Sequence, residues 1–160
     1  MSMKGRPMET VGEAGLSPAE ARDLRRLVGI MIPADAAYGV PGADDAAILS
    51  DLLGTLGRDA AGVKAALAAL SELAGGSFGD LDEARAEAVA MRLLAERGRP
   101  VLTLGRVVLA AYYRDDRVMR SLGREARPPF PEGHVLPDGD WSLLDAVKGR
   151  PQLWRDDRRG

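Results

Sequence analysis

Apolar side chains recur along this chain at spacings of three and four, which is the period of a helix with one buried face. Ser17-Pro18-Ala19-Glu20 reads as a capping box with proline at the first helical position. Leu24, Leu27, Val28 and Met31 follow on one face, and Pro33 ends the run. After a loop over Pro33 to Gly42, Pro41 and Gly42 lead into a second helix. Its first turn carries Asp44 and Asp45, and its stripe is Ile48, Leu49, Leu52, Leu53 and Leu56. Gly57 interrupts, and a third helix is expected from Asp59 to Ala74 through Val63, Leu67, Leu70 and Leu73.

Gly75-Gly76-Ser77 makes the next turn. Asp80 with Glu83 is the expected cap of a fourth helix, whose buried side would be Ala84, Ala88, Met91 and Leu94 or Ala95 until Gly98 ends it. Pro100 opens a fifth, through Val101, Leu104, Val107, Val108 and Ala111, apolar enough on most sides to be central. A short helix over Asp115 to Leu122 closes at Gly123, and Asp138 or Asp140 caps a last one at Trp141 to Lys148. The fold class is therefore all-α. It comprises a flexible leader at 1–16, a compact bundle of about five main helices at 17–124, and an irregular proline-, glycine- and aromatic-rich C-terminal arm with a short helix at 125–160.

Composition supports a folded domain: 46% of the 160 residues are apolar and 29% charged, with a net charge of -2. Neither end has the basic field of a nucleic-acid binder, and no apolar run is long enough to span a membrane. The absence of cysteine removes disulfides, thiolate metal sites and a cysteine nucleophile. Neither a secretory nor a twin-arginine signal is seen, so a cytoplasmic location is expected, or a periplasmic one if the chain has been trimmed.

The chemistry-bearing candidates are few. His134 is the sole histidine, and pairing with Asp138 or Asp140 would support a general base or a weak metal site. A loop histidine packed at a subunit contact is the plainer reading. Paired carboxylates at Asp44/Asp45, Asp115/Asp116 and Asp156/Asp157 stand at helix starts or beside arginines, where capping and ion pairing account for them. No phosphate-cradling glycine motif is present. The residues alone therefore give no catalytic, cofactor or metal site.

Five of the seven aromatic residues fall between Tyr112 and Trp154, in a stretch whose middle is too rich in proline and glycine for a regular element. Such rings need a covering surface, supplied either by the chain's own helices or by another protein.

Two blocks carry a resemblance. The first is Leu27 to Ala43, LVGIMIPADAAYGVPGA. The second comprises Tyr112-Tyr113, Asp116, Leu122-Gly123, Pro128-Pro129-Phe130-Pro131, Gly133-His134 and Asp138-x-Asp140. In both, the chain resembles the gluconate 2-dehydrogenase subunit 3 family, the small subunits of bacterial flavin-dependent sugar and sugar-acid dehydrogenases. The resemblance implies a subunit that is not an enzyme by itself. It would bind, stabilise and chaperone a large flavoprotein of the glucose-methanol-choline type, which holds the FAD and oxidises a sugar, sugar acid or glycoside. An electron-transfer protein is a further candidate partner, and no cofactor is expected in this chain. The contact residues would be Tyr112, Tyr113, Pro129, Phe130, His134, Trp141 and Trp154, with Pro33, Asp35, Pro41 and Gly42 fixing the first turn. The alternatives are a helical adaptor unrelated to a flavoprotein and a stand-alone helical enzyme using His134.

Overall fold

The computed structural model describes residues 15–128, 130–133, 135 and 138–151. Every regular element among them is helical: α1 (Pro18–Met31), α2 (Ala46–Thr55), α3 (Ala60–Ala74), α4 (Glu83–Ala95), α5 (Arg99–Tyr112), α6 (Asp116–Ser121) and α7 (Asp145–Lys148). Short 3-10 turns at Gly57–Asp59, Phe78–Asp80 and Trp141–Leu144 join or extend them. The chain divides into two compact units, Met1–Ala126 and Arg127–Gly160.

In the first unit, α5 packs on α3 and α2, while α1 and α4 pack on α3 and on each other. The centre is filled by Leu24, Leu27, Ile48, Leu52, Leu70, Leu93, Leu104 and Val108, all essentially without solvent contact. The capping box at Ser17 forms in both directions: Glu20 N–H donates to the serine hydroxyl, and Ser17 N–H donates to the Glu20 carboxylate at 2.7 Å. Leu16, expected in the leader, is buried in the core, because the cap turns the residue before it inward. The remainder of the expected leader lies outside the described residues.

Expectations for three stretches of chain are corrected. The cap of α4 is Asp82, which accepts from Arg85 N–H, and Asp80 belongs to the preceding 3-10 turn. The face that α4 buries is Ala86, Val89, Ala90 and Leu93, whereas Ala84, Ala88 and Ala95 are exposed and Met91 is 60% exposed. Alanine stands on both sides of this helix, so its period is equally regular in either register. The core takes the face with the branched side chains Val89 and Leu93. Second, the left-handed residue after α4 is Arg97, at φ 48°, and Gly98 is the extended N-cap of α5. Third, α5 is amphipathic: Leu102 and Leu109 stay exposed on its outer side.

A polar stripe of α1 holds the turn before α4. Asp23 is buried and accepts from Gly79 N–H at 2.8 Å. Arg26 donates to the carbonyls of Phe78 and Gly79 and lies 5.6 Å from the centre of the Phe78 ring. Phe78 itself is fully buried, contributing on the order of 1.5–3 kcal/mol.

Candidate partner-binding surface

The first turn is built by one aspartate. Asp35 Oδ1 accepts from the Ala37 and Tyr38 N–H groups, so the chain reverses at once, and Asp35 and Val40 exchange backbone hydrogen bonds at 3.0 Å each way. Gly42 is buried, and a Cβ there would lie 2.5 Å from Asp44 Oδ1 and 3.0 Å from the Ala34 nitrogen. Ala43 N–H then closes onto the Ile32 carbonyl at 2.9 Å. Pro33 is exposed at the start of this loop.

Tyr112, at the end of α5, donates its hydroxyl to the Pro41 carbonyl at 3.2 Å and is buried against the core. Burial, then the charges of Tyr113, Asp115 and Asp35, pushes its phenol upward. The structure thus joins two residues named for different roles, Tyr112 and Pro41, in one contact that fixes α5 to the first turn. Tyr113 meets the Tyr112 ring edge-on, with centroids 5.5 Å apart, and is half exposed.

In the second unit, Phe130 is 84% exposed and Trp141 is 72% exposed. Trp141 opens a turn capped by Asp140, whose carboxylate accepts from the Ser142 hydroxyl and N–H, and these bonds hold its pKa down. Leu143, Leu144 and Val147 continue the exposed apolar surface. The sequence singles out only the rings of this segment, because aliphatic side chains inside a short helix carry no local mark of exposure. Pro129, His134 and Trp154, the remaining contact candidates, lie outside the described residues, as do Asp156 and Asp157.

The other carboxylate pairs are structural. Asp45 caps α2 and Asp115 caps α6. Arg117 reaches both, at 2.8 Å to each. Its guanidinium, followed by the Ala47 N–H, lowers Asp45 to about 2, and it is also the largest cause of the lowered Asp115 pKa. Both acids are therefore ionised at neutral pH and accept hydrogen bonds rather than donate protons. Asp116 pairs with Arg120, and Arg114 spans to Asp51 and Thr55 of α2.

Two surface grooves accompany this arrangement. One of about 340 Å³ lies between α1 and α3, where Asp23 and Glu20 are already committed to Gly79 and to the capping box. The other, of about 270 Å³, is lined by Arg58, Asp59, Gly62, Arg99, Pro100 and Thr103. Among the described residues, no cluster of three or more histidine or carboxylate side chains could hold a metal ion. No helix among them is long and apolar enough to cross a membrane.

No protein-family model, curated protein or solved structure matches the chain.

Proposed function

We propose that the chain is the small, non-catalytic subunit of an FAD-dependent sugar, sugar-acid or glycoside dehydrogenase, binding and stabilising the large flavoprotein of that complex. The observation that carries a partner-binding role is the run of exposed rings and aliphatic side chains from Phe130 through Trp141 to Val147. Exposed rings of this kind are the residues that dominate protein contacts. The flavoprotein as partner rests on the resemblance of the Leu27–Ala43 and Tyr112–Asp140 blocks. The first of those blocks is a tied turn: Pro41, inside it, is bonded to Tyr112, inside the second.

The test is co-expression with a flavoprotein of the glucose-methanol-choline type, sought among the neighbouring reading frames. The large subunit is expected to be soluble, yellow and active with the chain, and insoluble or flavin-free without it. A large subunit fully active alone would overturn the reading. Association with a protein that carries no flavin would favour the helical adaptor instead.

A further inference from the structure

We propose that, before any larger partner binds, this chain pairs with a second copy of itself, each copy laying its Asp138–Lys148 segment along the outer face of the other's α5. The outer face of α5 carries an exposed apolar line. Leu102, Leu109 and Tyr113 are 61%, 47% and 50% exposed, and their spacings of seven and four residues place them on one side of the helix. At the N-terminal end of α5 stand Arg58, Arg99 and Arg106 against one acid, Asp59, which Arg106 holds at 2.6 Å, while beyond Tyr113 the arginines are already paired, Arg114 with Asp51, Arg117 with Asp45 and Asp115, and Arg120 with Asp116. Arg58 and Arg99 are exposed at the groove where α5 begins.

The segment from Asp138 to Lys148 has the opposite character. Trp141, Leu143, Leu144 and Val147 are exposed, and Asp138, Asp140 and Asp145 accompany one base, Lys148, which binds Asp145 at 2.8 Å. Three arginines against one aspartate thus face three aspartates against one lysine.

Charge selects the pairing. Setting α5 on its own copy would bring Arg99 and Arg106 against their equivalents, and setting the acidic segments together would oppose aspartates, both unfavourable in a desolvated contact. The crosswise arrangement joins apolar to apolar and base to acid, and a two-fold axis makes the contact twice. The pairing concerns the chain alone and stands whether or not the partner is a flavoprotein. Its consequence is that the rings are covered until a larger protein takes them.

The experiment uses the full-length chain in sedimentation equilibrium over about a hundredfold range of concentration. A dimer is expected whose dissociation constant rises with salt. One variant carries Arg58→Glu and Arg99→Glu; a second carries Asp138→Arg and Asp145→Arg. Neither disturbs the Arg106–Asp59 pair or the Asp140 cap, and circular dichroism is expected to match wild type. Each variant alone should dissociate at least tenfold more readily, because its face and segment then carry like charge. Mixing the two should restore the dimer, since both crosswise contacts again join opposite charges. A monomeric wild type, a dimer indifferent to either substitution, or a mixture that stays dissociated would each overturn the proposal.

Discussion

Arg97 is the residue most clearly out of place in its own backbone. It holds φ 48° between the end of α4 and the cap of α5, although Gly98, suited to that conformation, stands next to it in an ordinary extended one. A left-handed side-chain residue costs about 1–2 kcal/mol. Replacement by glycine relieves this while adding freedom to the unfolded chain, so Arg97→Gly should raise stability by up to about 1 kcal/mol in urea unfolding. Asp23 is the converse, a charged residue whose burial is repaid by one bond. Asp23→Ala would orphan the Gly79 N–H and should cost about 1–3 kcal/mol in the same measurement. Arg117 sets the acid response. Because Asp45 is depressed to about 2, the stability it contributes is whole above the ordinary carboxylate range and fades as pH falls through about 2. Arg117→Gln should therefore lag wild type at neutral pH and draw level with it only below about pH 2. A gap that persists in acid would mean Arg117 acts through packing instead.

At the scale of elements, the sequence was most readable where a local signal has one structural answer. Ser17 with Pro18 and Glu20 marks the start of α1 to the residue, and Gly75 takes the left-handed turn at φ 71° that ends α3. The stripe of α2 was also plain, since Ile48, Leu52 and Leu56 have no competing apolar face. α4 failed because alanine gives both faces nearly the same hydrophobicity, and only the packing of Val89 and Leu93 breaks the tie. That assignment can be checked directly. Ala86→Leu should overpack the core and cost about 1–3 kcal/mol, whereas Ala88→Leu should stay within about 0.5 kcal/mol of wild type. Equal effects would argue against the buried face seen here. For the candidate surface, Phe130 and Trp141 were legible as ring-bearing residues in an irregular stretch. The bond from Tyr112 to Pro41 was not, because it joins positions 71 residues apart and nothing local announces it.

For the whole molecule, the buried core among the described residues runs from Leu16 to Val118. A chain ending at Ala126 is therefore expected to unfold cooperatively with helicity close to that of the same residues in the full protein. Thermal melts followed by circular dichroism would test this, and a non-cooperative melt would show that later residues are needed to complete the fold. The same boundary has a consequence for biosynthesis. Ribosomes extend a chain at about 5–20 residues per second, while helical domains with mostly local contacts fold in microseconds to milliseconds. Once Val118 and its neighbours have left the ribosome, the bundle has time to close before the rings of Phe130 and Trp141 are released. Nascent protein would then present its sticky surface only after a finished scaffold exists to carry it.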